Sequence, residues 1–581
     1  MEACRTEDPL FRQLAATETH IAFNNCITDT EQLNALSFEY IYNGGGVAVG
    51  DFNNDGFQDL YFTGNQVSSK LYLNRGKKIS FEDITESSHT TTKAWCTGVT
   101  VVDINQDGWQ DIYVCVAGVV EDTTQRANLL FENQGLDKNG IPVFKEKAAQ
   151  YGLNDMGYST QAAFFDYDRD GDLDCYVLTN ALEKNNRNAL RPKRLNGEAP
   201  SNDRLYRNDG ERFVNVSRQA GILTEGYGLG LAISDLNGDG WEDIYCSNDF
   251  LSNDLVWINN QKGGFTNQAA RYLKHQTHNG MGVDIADINN DARPDIMVVD
   301  MLPETNERQK MMLSGSNHDR MQLDLKLGYQ PQFMRNTLQL NRGEMRTDSG
   351  KSFLFSDISQ FSGVEKTDWS WAPLFADYDN DGQRDLMITN GYRRDVTNMD
   401  FTAYLASQHE TDMFGGGVQE LSSEVFKKLK TLPNIKLSNY AYHNRGDLTF
   451  EDVTKTWGLN QPSYSNGAVY ADLDNDGDLD YVVNNIDDAA FCFENTASNL
   501  PKSNNWLRVK LSGLPRNRDA IGAKIKLYTK GRVQYRECNP TRGYVSSVEL
   551  VQHFGLGANA TIDSMVVFWP NGTKQIGRAH V

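Results

Sequence analysis

Nine-residue segments with Asp at positions 1, 5 and 9 and Asp or Asn at position 3 occur seven times in this chain of 581 residues. Oxygen-bearing side chains on alternate residues, a glycine at position 6 for a tight bend and a backbone carbonyl at position 7 suit a hard cation. Calcium takes six to eight oxygens at about 2.3–2.6 Å, so the chemistry expected of each segment is calcium ligation. The candidate ligands are Asp51, Asn53, Asp55 and Asp59; Asp103, Asn105, Asp107 and Asp111; Asp166, Asp168, Asp170 and Asp174; Asp235, Asn237, Asp239 and Asp243. The series continues with Asp287, Asn289, Asp291 and Asp295; Asp377, Asp379, Asp381 and Asp385; and Asp472, Asp474, Asp476 and Asp480. One copy could arise by chance; seven could not. Up to seven ions are expected. Loop 287–295 is the expected weak site, because Ala292 replaces the position-6 glycine where a left-handed backbone is needed.

The start of each segment also matches an EF-hand loop, which would need a bidentate Glu at position 12 and then a helix. Position 12 is instead Phe62, Val114, Val177, Cys246, Val298, Ile388 and Val483, and β-rich runs such as Asp111-Ile-Tyr-Val-Cys115 follow directly. Short Gly-bounded runs such as Gly46-Val-Ala-Val-Gly50 precede the loops, so each loop joins two strands of a hairpin. A third strand ends in Asn in every unit, at Asn74, Asn133, Asn208, Asn259, Asn341, Asn444 and Asn495. Phe81-Glu-Asp-Ile84, Phe213-Val-Asn-Val216, Phe355-Ser-Asp-Ile358 and Phe450-Glu-Asp-Val453 mark a fourth. Four strands per unit is a propeller blade, so the expected fold is all-β: a seven-bladed β-propeller of four-stranded blades plus a small C-terminal β domain. The seventh unit lacks a fourth strand of its own, and His20-Ile-Ala-Phe-Asn24 is the expected donor that closes the ring.

These Asp-rich hairpins, set among Gly-bounded strands, resemble the FG-GAP/VCBS repeats of integrin-type propellers, over roughly residues 15–500. Beyond them, Asn505-Trp-Leu-Arg-Val509, Asn517-Arg-Asp-Ala-Ile-Gly-Ala523, Gly543-Tyr544, His553-Phe-Gly-Leu-Gly557 and Val566-Val-Phe-Trp-Pro-Asn-Gly572 resemble the ASPIC/UnbV module of proteins similar to cartilage acidic protein. The resemblance implies calcium binding and an exported location more firmly than any activity. The expected organisation is an N-terminal tether at 1–14, the propeller at 15–500, the ASPIC/UnbV-like domain at 501–575 and a non-native tail at 576–581.

Composition excludes other classes. No run approaches the roughly 18 apolar residues of a membrane span, and a net charge of −22 argues against a nucleic-acid surface, which would carry a basic stripe. Much of that acidity sits in the loops, where seven divalent ions would bring −22 to about −8. Eight cysteines make no disulfide scaffold. Cys4 lies where similar bacterial proteins carry an acylated lipoprotein cysteine, which gives an expected lipid anchor at the outer surface or periplasm of a bacterium and a monomeric protein.

A ligand, glycan or protein, is expected on the face away from the hairpins, where Trp95, Tyr158, Tyr227, His278, Trp369, Trp371, Tyr392 and Arg393 fall together with the insertions at roughly 181–201, 301–336 and 391–440. The competing reading is that such aromatics fill the inner ends of the blades. No catalytic residues are assigned: nucleophile elbow, phosphate loop and metalloprotease motif are all missing from the sequence. The alternative reading, a glycan hydrolase or lyase on that far face, would use carboxylates or His278, which lies three residues after His275.

Overall fold

The computed structural model describes residues 9–120, 122–182, 190–210, 212–312, 318–347, 350–408, 423–499 and 503–577. Cys4 and residues 578–581 lie outside them. The chain is mostly β, and among the described residues no helix is long and apolar enough to cross a membrane.

Each hairpin opens a four-stranded antiparallel sheet. In the first, Val47–Gly50 pairs with Asp59–Phe62, then Lys70–Asn74, then Phe81–Asp83. The same order recurs in five further sheets, opened by Trp95–Val102, Tyr158–Phe165, Gly228–Ser234, Val283–Ala286 and Ser370–Ala376. Their opening strands read small, apolar and β-branched because both faces are covered: Val47–Gly50 and Gly228–Ser234 are buried along their whole length. Opening strands of successive sheets pack side by side, and that of the seventh, Ser465–Ala471, lies against Val47–Gly50 of the first.

The seventh sheet takes its outer strand from the start of the chain, but from other residues than expected. Phe11–Gln13 pairs with Phe491–Asn495, Phe11 opposite Asn495. It has the in-out-out burial of Phe81–Asp83, Phe213–Asn215 and Phe450–Asp452, and Phe11 packs on Tyr378 and Trp457. His20–Asn24 instead bridges the first and last sheets. Phe23 stacks on Phe62 with ring centroids 5.0 Å apart, and its carbonyl accepts the Ala490 N–H at 2.8 Å. The alternation read there as strand is a pair of side chains, Ile21 and Phe23, buried in that seam.

The C-terminal domain has its own core of Val509, Ile525, Leu527, Phe554 and Leu556, formed by Asn505–Val509 with Gln552–Gly557 and by a sheet centred on Lys524–Thr529 and Ser564–Phe568. Between these strands the chain leaves the domain and enters the middle of the repeats. Asn539 donates to the Ile233 carbonyl at 3.0 Å, Gly543 and Val283 exchange both backbone hydrogen bonds, Val99 donates to the Val545 carbonyl, and Ser547 pairs with Ala48. Tyr544 reaches Trp371 of the sixth sheet at 5.0 Å between centroids. Glycine is required where this segment passes: a Cβ on Gly46 would fall 1.7 Å from the Val545 carbonyl oxygen.

Candidate metal centres and an interdomain cleft

The seven loops share one hydrogen-bond scheme. The position-1 Asp accepts the backbone N–H of position 6 at 2.8–3.1 Å. The position-9 Asp accepts the N–H of position 2 at 2.8–3.2 Å. Its other oxygen takes the N–H of the third-strand Asn at 2.7–3.0 Å. Closing such a turn needs two left-handed residues. Position 4 supplies one in every loop, from Asn54 at φ 56° to Asn475 at φ 60°, and position 6 the other. Ala292 adopts φ 62° and still donates to Asp287 at 2.8 Å. Loop five is therefore not distorted, at a strain of roughly 1 kcal/mol.

The third-strand Asn does more than end a strand. In six of the seven sheets its side-chain amide donates at 2.7–3.0 Å to the position-2 carbonyl of the preceding sheet's loop: Asn133 to Phe52, Asn259 to Tyr167, Asn341 to Leu236, Asn444 to Ile288, Asn495 to Tyr378, and Asn74 back to Leu473. The loops are thus fixed to one another as well as to their own strands.

Position 3 divides the loops into two kinds. Asn53, Asn105, Asn237 and Asn289 donate their amides to the position-5 Asp at 2.8–3.2 Å, so the pair satisfies itself. In the other three loops Asp replaces that donor, and the oxygens of Asp166, Asp168 and Asp174, of Asp377, Asp379 and Asp385, and of Asp472, Asp474 and Asp480 each converge within 4.8 Å. Asp166 Oδ1, Asp168 Oδ1, Asp377 Oδ1 and Asp474 Oδ1 are buried without a hydrogen-bond partner. Burial first, then neighbouring carboxylates, pushes Asp166 up to about 7, Asp379 to about 8 and Asp474 to about 7. Orphaned, mutually repelling oxygens on a bend that holds them together fit a hard divalent cation. Asp379, Asp381 and His443 form a further converging group beside loop six.

The C-terminal domain rests on these loops and brings cations that sequence reasoning missed. Arg508 pairs with Asp472 at 2.6 Å, and Lys524 with Asp235 at 3.1 Å and Glu242 at 3.3 Å. The Gly555 N–H donates to Asp377 at 3.1 Å. Between loops four and five and this domain lies a cleft of about 610 Å3, lined among others by Arg169, Arg293, Lys524, Lys526, Phe568 and Trp569.

The residues expected to receive a ligand are placed differently. Tyr227, Trp369, Trp371 and Tyr392 are buried. Trp369 stacks on Tyr392 with centroids 3.7 Å apart, and Trp371 Nε1 donates to the Gly391 carbonyl at 2.9 Å. All four pack inside the protein beside the opening hairpins of the fourth and sixth sheets. Trp95 and Tyr158 line a cavity of only about 30 Å3 with Tyr544. Arg393 holds the N-terminal segment through Asp487 at 2.7 Å and the Ile27 carbonyl at 2.6 Å. His278 is half-buried, and burial pushes its imidazole down, while His275 is paired with Asp357 at 2.8 Å. Neither belongs to a converging ligand group among the described residues.

The repeats match the FG-GAP-like repeat family at residues 51–114, 235–298 and 434–483, and residues 513–579 match the ASPIC and UnbV family. The chain thus carries FG-GAP-like repeats followed by a segment similar to the ASPIC and UnbV family. Its curated relatives are cartilage acidic protein 1 of Mus musculus, 26% identical over 370 residues that make up 63% of this chain and 45% of the relative, and that of Homo sapiens, 26% identical over 369 residues covering 63% and 44%. The chain thus spans less than half the length of the curated relatives it matches. Among solved structures, an Agrocybe aegerita lectin specific for non-reducing terminal N-acetylglucosamine matches at 14% identity and TM-score 0.34, covering 71% of this chain and 83% of its own. An exotype rhamnogalacturonan lyase matches at 12% identity and TM-score 0.34, covering 78% and 72%. Scores this low carry no argument.

Proposed function

We propose that the seven sheets close into a seven-bladed calcium propeller and that the protein is an exported module that binds a glycan or a protein ligand. Closure is supported by the packing of Ser465–Ala471 on Val47–Gly50 and by the circuit of Asn amides from loop to loop. Calcium is supported by the orphaned oxygens of the all-Asp loops, and extracellular calcium modules work at about 10⁻⁴–10⁻³ M, which suits an exported setting.

The binding reading rests on the cleft of about 610 Å3. Half-buried Phe568 and Trp569 offer apolar faces there, and the Lys526 ammonium lies 5.6 and 5.9 Å from the Tyr535 and Phe568 ring centroids. Aromatic surface beside a few fixed polar groups is what orients a sugar ring or a peptide. The site therefore moves from the far face to the hairpin side. Calcium-loaded protein passed over immobilised polysaccharides should be retained without generating new chain ends, and Lys526→Glu or Phe568→Ser should abolish retention at unchanged melting temperature. Retention indifferent to both substitutions removes the cleft from the proposal, and released oligosaccharide makes the protein an enzyme.

A further inference from the structure

Loop six differs from its six counterparts in what stands beside it. The residue before the third-strand Asn is Leu73, Glu132, Arg207, Ile258, Leu340 or Glu494 elsewhere, and His443 here. His443 Nδ1 lies 3.1 Å from Asp385 Oδ1 and 3.4 Å from Asp379 Oδ2. Its ligand atom and those of Asp379 and Asp381 fall within 4.8 Å of one another, and Asp379 is shared with the group formed by Asp377 and Asp385. A second observation comes from the adjoining group that shares Asp379. Asp377 is 2% exposed; its Oδ2 takes the N–H groups of Gly382 and Gly555 at 2.9 and 3.1 Å, while its Oδ1 is buried with no partner. The imidazole is steadied by Trp457, 6.1 Å away between ring centroids.

We propose that loop six is a mixed nitrogen and oxygen site that takes a first-row transition ion, Mn2+ or Zn2+, in preference to calcium, with His443 as its nitrogen ligand. Calcium is bound by oxygen, whereas imidazole suits the transition ions, and their affinity for a given nitrogen-containing site exceeds that of a hard alkaline-earth ion. The inference rests on the loops being metal sites at all, and it sets loop six apart from the rest.

The test uses the full chain saturated with calcium and titrated with Co2+ as a spectroscopic stand-in and with Zn2+. One equivalent should bind per chain, withstand excess calcium and give a visible cobalt ligand-field band. His443→Leu, which installs the side chain that repeats one and five carry there, should remove that equivalent and leave the calcium stoichiometry as it was. A cobalt equivalent that survives His443→Leu, or that calcium displaces, overturns the proposal. So does calcium binding with no tight cobalt equivalent in the unaltered chain, in which case the imidazole is only an internal counter-ion to the carboxylates. If neither ion binds, the calcium reading falls with it.

Discussion

The side chain at position 3 decides whether the position-5 Asp meets a donor or another carboxylate, on top of the burial that raises carboxyls in both kinds of loop. The amide of Asn53 or Asn105 gives its Asp partner a hydrogen bond; Asp168, Asp379 and Asp474 give it repulsion, and burial adds to it. A carboxyl whose folded pKa lies above its unfolded one stabilises the fold only while protonated, and that stability is lost as pH rises from the unfolded value near 4 through about 7. Chelated protein should therefore melt at a lower temperature at pH 8 than at pH 5, with calcium restoring most at pH 8. A flat profile in chelator would mean these carboxylates do not repel. At Ala292 the strain is backbone only, so Ala292→Gly should stabilise by about 0.5–1 kcal/mol in thermal unfolding. No gain would show that the left-handed turn costs nothing there. The Asp and Asn spacing was legible in the sequence because each turn's hydrogen bonds fix it residue by residue. The inter-sheet role of the third-strand Asn was not, since Asn259 and the Tyr167 carbonyl it serves are 92 positions apart. Asn259→Leu should cost about 1–3 kcal/mol by stranding that buried carbonyl, and an unchanged melting curve with calcium present would deny the link.

Strands were legible where the repeat enforces them and obscure where it does not. The hairpins and third strands follow from seven aligned copies, whereas the seventh outer strand occurs once, far from its partner, and is three residues long. Phe11-Arg-Gln13 does carry the leading Phe of Phe81-Glu-Asp83 and Phe450-Glu-Asp452, a signal outweighed by the stronger alternation of His20–Asn24. Phe11 is 1% exposed, so Phe11→Ala should cost about 3–5 kcal/mol. Hydrogen exchange should rise first in Phe491–Asn495, which would lose its partner. Exchange that rises evenly across all seven sheets would argue that the latch is not local.

The relation between domains was not legible. In the sequence Gly543-Tyr544 is only part of the ASPIC/UnbV resemblance, and only the fold reveals that the segment Asn539 to Glu549 around it packs among the opening strands of the repeats. Arg542 there makes two hydrogen bonds to fully buried Asp284, at 2.7 and 3.0 Å. Arg542→Met leaves that buried carboxylate without its cation, held only by the Ile285 and Phe375 N–H groups, and should cost about 3–5 kcal/mol; because the segment touches several sheets the loss should lower one cooperative transition for both domains. Two separate transitions, with only the C-terminal one shifted, would show that the domains fold independently.

The threaded segment also bears on how fast the native contacts can form. Phe11–Gln13 pairs with Phe491–Asn495, and Ser546 Oγ accepts the Val47 N–H from 499 positions away, so these native contacts form only after very long loops have closed. Pairings so distant along the chain make their closure the slow step expected in refolding.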